Sequence, residues 1–377
     1  MRKSRLVRTV VCAFVCACLV LPLLPIASLT SIAASTSRVS GIVYQRSLGS
    51  GTDLELTGDT YLLVDTTKTL GNIRGGDNKT LWIQELSSST SRKLTVGAIT
   101  AREFHAVGSF SLDVRDGIDS KYNVEIKVPN ISVVSRNNTA PAICSRYNSV
   151  SVKADTFEAS GLYGIKNDFG GVSLDIADSF KISGEKDAIV SGGAVSINGS
   201  GSIVSSFSDK NNYSGAGISA RNDVTIRGDL TVSSGNKNCN TRSDGIYTSS
   251  GSIELVEGSV TITGDGAGIR AAAGDVLLNK GNVFVNVTGD YGIEAQERLH
   301  VCCTADVTAS EVAIISHNGK LEINTSSNSP IYSTTRPYST STVSLPADSR
   351  ALSAVCAPYS LMPKSSPPTC PFTPRRL

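Results

Sequence analysis

The 377-residue sequence has one tryptophan, three histidines and no Cys-x-x-Cys pair. A single indole, Trp82, is too little for a row of tryptophan rings to stack on sugars. His105, His300 and His317 without paired cysteines do not give the ligand spacing of a structural zinc site. Nine cysteines suggest a disulfide framework, but Cys12, Cys16 and Cys18 fall in the N-terminal segment. The other six are Cys144, Cys239, Cys302, Cys303, Cys356 and Cys370, irregularly spaced. They read as buried or half-buried thiols with one or two bridges at most. Beyond residue 33 the sequence shows no sustained helical period and no apolar run long enough to span a bilayer. No cofactor motif is present, and none is expected.

Residues 1–33 stand apart. Arg2, Lys3, Arg5 and Arg8 precede an apolar run over 10–24, and Ser31-Ile32-Ala33 offers small residues for cleavage. This is the pattern of a secretory signal peptide. The expected protein is therefore secreted or surface-associated, with no membrane segment after cleavage. Between residues 34 and 335 there are 26 Lys and Arg against 32 Asp and Glu. A weakly acidic body argues against a nucleic-acid partner.

What the chain does have is a repeat. Isoleucines at 118, 143, 165, 189, 218, 246, 269, 293, 314 and 331 recur at a mean step near 24 residues. Gly, Ala or Pro precedes each, and Ser, Thr, Ala or Asn lies two residues on. Residues i and i+2 of a strand share a face, so isoleucine and a small residue point inward together. Six or seven residues later comes another alternating pair, such as Val124/Ile126, Val195/Ile197 or Val224/Ile226. Up to three such pairs per repeat predict an all-β solenoid, a parallel β-helix with three short strands per coil. Residues 34–117 are expected to form a cap and opening coils, and 118–335 the regular coils. The Pro-rich 336–377 segment, with eight of thirteen prolines, is expected to be an unstructured tail. In this register Ile269 is interior, while Arg270 points outward and is cheap to replace.

Leu54–Gln84, the repeated Gly-Ile-x-Ala lines and Gly258-Ser-Val-Thr-Ile-Thr-Gly264 resemble exported repeat proteins of gut actinobacteria and firmicutes named carbohydrate-binding domain-containing proteins. The resemblance covers roughly residues 40–333. It implies a right-handed parallel β-helix and supplies no catalytic motif. By architecture the repeat is also similar to pectin-lyase-like enzymes.

Three kinds of site follow from the residues. Long repeats at 189–218 and 218–246 carry extra loops, 205–214 and 233–243. There Asp209, Asn211, Asn212, Tyr213, Asn236 and Asn238, with Tyr247 beside them, combine hydrogen-bonding groups and rings suited to glycans. Thr-Gly-Asp recurs at 57–59, 263–265 and 288–290, making Asp265 and Asp290 a calcium candidate one coil apart. Asp113, Arg115, Asp116 and Asp119 form the densest ionic cluster, the candidate for hydrolysis or elimination on a polysaccharide. The expected function is a non-catalytic interaction role, with glycans or a host or bacterial surface protein as partner. A pectin-lyase-like polysaccharide lyase or hydrolase is the alternative.

Overall fold

A strand of three to six residues with one apolar face is stable only when neighbours cover both that face and its backbone edges. In the computed structural model those neighbours are the strands one coil before and one coil after. The structure describes residues 35–86, 92–136, 139–206, 215–235, 243–310, 312–319, 321–323, 341–343 and 352–354. Parallel strands stack there as a β-solenoid of about 11 turns, spaced by about 23 residues. The only helical pieces among the described residues are the 3-10 turns Gln45–Ser47 and Gly76–Asn78.

Each coil has three faces. Face A holds the short anchor strands, including Ile118–Ser120, Ile143–Ser145 and Ile165–Asn167. Face B includes Val124–Lys127, Val195–Asn198 and Val224–Arg227. Face C includes Asn130–Val134, Gly201–Ser205 and Leu230–Ser233. Two long strands, Val150–Gly161 and Val172–Gly184, continue from face B into face C.

On face A, Ile73, Ile99, Ile118, Ile143, Ile165, Ile189, Ile218, Ile246, Ile269, Ile293 and Ile314 stand in register and are buried. The ladder thus begins two rungs before Ile118, where the sequence pattern places its start. The stretch after Thr100 is itself a coil, with Phe104 and Ala106 facing inward on face B and Leu112 and Val114 on face C. Ile331 lies outside the described residues.

The small residues two beyond each anchor do more than fill space. Ser120 Oγ reaches the carbonyl oxygens of Arg102 and Asn123 at 3.1 and 3.0 Å. Ser191 Oγ reaches those of Gly170 and Ala194, and Thr248 Oγ1 that of Asn222 at 2.6 Å. Ser145 and Ser316 bond to the carbonyls of Tyr122 and Glu297. Each buried hydroxyl satisfies carbonyls at the corner between faces A and B, often in the coil before its own. A second column serves the corner between B and C. Gly199, Gly228, Gly258 and Gly281 all have φ between +103° and +137°. A Cβ on any of the last three would collide with the carbonyl oxygen of the glycine one coil earlier.

The two ends differ. Thr36–Tyr44 pairs in parallel with Asp53–Val64 at the first edge. At the other end Ser341–Val343 and Leu352–Ala354 pair antiparallel with Thr304–Ala309 and Leu321–Ile323. Both lie in the stretch expected to be unstructured. They fall between prolines, which leaves their backbone N–H groups free to complete an open edge.

Candidate functional site

Coil corners place equivalent residues one above the next. At the A–B corner, the residue four beyond the anchor is Tyr122, Tyr147 and Phe169 in three consecutive coils. Their rings form a ladder. Tyr122 and Tyr147 lie 5.7 Å apart between centroids at 37°, and Tyr147 and Phe169 lie 5.6 Å apart at 6°. Such spacings are favourable for stacked rings. Tyr147 is 50% and Phe169 66% exposed, so the ladder is a surface ridge.

Ions line it. Arg146 meets Asp119 at 3.4 Å, and Lys166 meets Asp168 at 2.7 Å. The Asp119 carboxylate raises the Arg146 pKa, and the hydrogen bond to Asp168 raises that of Lys166. Lys121 Nζ lies 5.9 Å from the Tyr122 centroid. The ladder's last rung is set by Asn167, whose side chain is buried. Asn167 Oδ1 accepts the amide N–H groups of Phe169 and Gly170 at 3.2 and 2.6 Å. Its Nδ2 donates to the carbonyls of Asn148 and Gly171.

A second ladder stands on face B near the first edge. Tyr61, Trp82 and His105 are in register, with centroids 4.5 and 5.8 Å apart and planes within 10°. Exposed Ile42 precedes Tyr61 in the same row. Glu125 closes the other end, accepting from His105 Nδ1 at 3.0 Å and pairing with Lys127. The Lys127 hydrogen bond, then that of His105, lowers the Glu125 pKa. Trp82 is covered on both faces, so it offers edges rather than a flat platform.

Face C carries a groove of about 480 Å³ lined by Lys93, Asp113, Ser132, Glu158, Phe180 and Lys181, among others. Asp113, Ser132 and Glu158 are successive outward rungs of one row. Asp113 is the one member of the sequence-derived ionic cluster in this groove. It pairs with Lys93 at 3.1 Å and lies 4.0 Å from Arg115. Asp119 is on face A with Arg146, and Asp116 forms an isolated bridge to Ser135. The four residues therefore do not converge.

Of the glycan candidates in the long loops, Asp209, Asn211, Asn212, Tyr213, Asn236 and Asn238 lie outside the described residues. Tyr247 is on face A, where the Arg270 guanidinium sits 5.8 Å from its centroid. Arg270 is more than an exposed neighbour: it meets Glu294 at 3.2 Å and Asp244 at 3.7 Å, and Glu294 also holds His317 at 3.0 Å. Its side chain is only 32% exposed and that of Glu294 12%. Of the calcium candidates, Asp265 accepts a hydrogen bond from Thr288 Oγ1 at 3.0 Å. The register places Thr288, not Asp290, one coil beyond Asp265. No group of three or more His, Cys, Asp or Glu able to hold a metal is found among the described residues.

Cys144 and Cys303 are free thiols, and Cys302 Sγ lies 2.6 Å from His300 Nε2. Burial, then the nearby Asp119, pushes the Cys144 thiol up to about 11. Burial pushes Cys303 up to about 12. A raised thiol pKa leaves less thiolate, the reactive form. Native protein at pH 8 should therefore label at Cys144 about a hundredfold more slowly than protein unfolded in urea. Mass-spectrometric timing of alkylation checks this, and equal rates would contradict the burial.

The signal for both ladders was in the sequence. Tyr122, Tyr147 and Phe169 are separated by 25 and 22 residues, and Tyr61, Trp82 and His105 by 21 and 23. Both match the coil period. Among the described residues no helix is long and apolar enough to cross a membrane. Comparison with protein-family profiles, curated proteins and solved structures finds no match for the chain.

Proposed function

We propose that this chain is an exported, non-catalytic β-solenoid that binds glycans along its A–B corner. The carrying observation is the Tyr122–Tyr147–Phe169 ladder, exposed at Tyr147 and Phe169 and flanked by the Arg146–Asp119 and Lys166–Asp168 pairs. Apolar ring surface beside charged hydrogen-bonding groups matches a sugar chain, which presents C–H patches and hydroxyls in alternation. The coils repeat along the axis, so a polymer meets several weak contacts in succession. Export follows from the basic and apolar pattern of residues 1–33.

Affinity electrophoresis of the exported chain through gels containing soluble polysaccharides tests the reading. At least one polysaccharide should retard it. The double variant Tyr147→Ala, Phe169→Ala should lose most of that retardation, while Trp82→Ala keeps it. A parent protein that no polysaccharide retards would overturn the proposal.

The groove on face C supports one other reading, a polysaccharide hydrolase or lyase. Two coil steps separate Asp113 from Glu158, which puts their backbones about 10 Å apart. That is near the upper end of the carboxyl separation of inverting glycosidases, about 6.5–9.5 Å. Release of new reducing or unsaturated ends from a polysaccharide, lost in Glu158→Gln, would favour it.

A further inference from the structure

The aromatic ladder stops against a coil whose corner is Gly192-Gly193-Ala194, with a single methyl group as its side chain. We propose that the coil bearing Gly192–Gly193 leaves a slot one ring wide beyond Phe169, and that this slot binds one acidic pyranose unit of a glycan. The inference rests on the glycan-binding reading above and names its subsite.

Backbone hydrogen bonds fix which residues overlie one another. The amides of Arg146 and Tyr147 donate to the carbonyls of Ser120 and Lys121. One coil later Asp168 donates to Ser145, and after that Gly192 donates to Asn167. Beyond it Arg221 donates to Ser191, and Asn222 to Gly193. One corner column results, running Lys121, Arg146, Asp168, Gly192, Arg221. The aromatic column Tyr122, Tyr147, Phe169 ends there: the next corner is one residue shorter, so Gly192 packs against Asp168 and the Cα of Phe169, and Gly193 packs on Gly170. Of the five rungs in the first column only Gly192 contributes no side chain.

The gap has a definite width. Coils advance by one strand spacing, so Asp168, beside Phe169, and Arg221 stand on backbones about 10 Å apart. One rung is missing between them, and the rings of the ladder show that one rung holds one ring. The outer face of Phe169 is uncovered, in keeping with its 66% exposure. The glycines also hold the gap open. A Cβ at Gly192 would collide with the carbonyl oxygen of Asp168, and one at Gly193 would lie 2.8 Å from the carbonyl carbon of Gly170. Close backbone packing at this corner therefore keeps side chains out of the rung.

The walls specify the ligand. Phe169 presents a flat apolar surface, to which the C–H face of a pyranose is complementary. Asn222 is exposed and offers an amide donor and acceptor for hydroxyls. Arg221 beside it is exposed, and its side chain makes no ion pair among the described residues. The cations on the other wall, Arg146 and Lys166, are each matched to an aspartate. The neighbouring Asp223 is directed to the following coil, where its Oδ1 accepts the Ser252 amide at 2.8 Å. Arg221 thus supplies a planar fork of donors that fits a sugar carboxylate in bidentate fashion.

The test is titration of the exported chain, by ligand-observed magnetic resonance, with a uronic-acid trisaccharide and with its neutral hexose counterpart. The native chain should bind the acidic trisaccharide at least tenfold more tightly than the neutral one. Phe169→Ala should lose both. Arg221→Gln should bring the two affinities within about twofold of each other while leaving the neutral one unchanged. Circular dichroism should show both variants folded like the parent. Retention of the acidic preference by Arg221→Gln would overturn the proposal, as would unchanged binding by Phe169→Ala. If gel retardation by polysaccharides persists in the parent while neither substitution matters, the slot is refuted and the glycan reading stands. If the parent is retarded by nothing and binds neither trisaccharide, both fall together.

Discussion

Asn167→Ala should destabilise the protein by about 3 kcal/mol, the cost expected when several buried backbone groups lose their partners. The side chain is buried and makes four hydrogen bonds. Two run from its amide nitrogen to the carbonyls of Asn148 and Gly171, and two come to its carbonyl from Phe169 and Gly170. Alanine leaves all four groups at a packed corner with little room for water. The effect should reach the surface, because the same bonds hold the turn that carries Phe169. Asn198→Ala is the matched comparison. That asparagine is exposed and bonds only Asp175 Oδ1 at 2.8 Å among the described residues, so its loss should cost less than about 0.5 kcal/mol. Urea melts of the two variants measure the difference. Similar small losses would mean that the Asn167 corner is open to water.

Ile269→Ala should cost roughly 2–5 kcal/mol, as large-to-small changes in packed cores do. Ile269 is fully buried and sits in register between Ile246 and Ile293. Neither neighbour can collapse into the space without pulling its own rung out of the backbone ladder. The cavity term should therefore persist in full. Ser196→Ala, on an exposed outward position of face B, should cost less than about 0.5 kcal/mol. Arg270→Ala is no longer a neutral comparison. Removing it leaves the half-buried Glu294 with His317 as its remaining ionic partner, and about 1–2 kcal/mol is expected, between exposed and buried pairs. Equal losses for Ile269→Ala and Ser196→Ala in denaturant melts would place the isoleucine outside the core.

The solenoid was legible because its interior tolerates little variety. A rung position stacked between two isoleucines favours a third, so Ile118 to Ile314 stands out at one period. The early rungs were hidden by uneven spacing: Ile73, Ile99 and Ile118 are 26 and 19 residues apart, with Asn72 rather than a small residue before the first. The Ser, Thr and Asn row was visible as small residues, but its hydrogen-bonding role depends on carbonyls brought close only by folding. The ladders were missed for a related reason. Tyr122, Tyr147 and Phe169 occupy a turn, where strand alternation gives no direction, and they meet only through the coil period. The network around Arg270 was also hidden, since its acids come from the previous and the following coil.

Every outward row depends on each coil advancing by one strand spacing. Pulsed electron-spin measurements between paired labels test this most directly, in a background whose native cysteines are replaced by alanine. Ser151, Ser173, Ser196, Thr225, Glu254, Leu277 and His300 are successive rungs of face B. Labels at 151 and 254 should then lie about 19 Å apart and labels at 151 and 300 about 29 Å apart, before allowance for their linkers. The second distance should exceed the first by about 10 Å, two coil steps. Equal distances, or a shorter one for the more distant pair, would contradict the stacked solenoid and every row assigned on it.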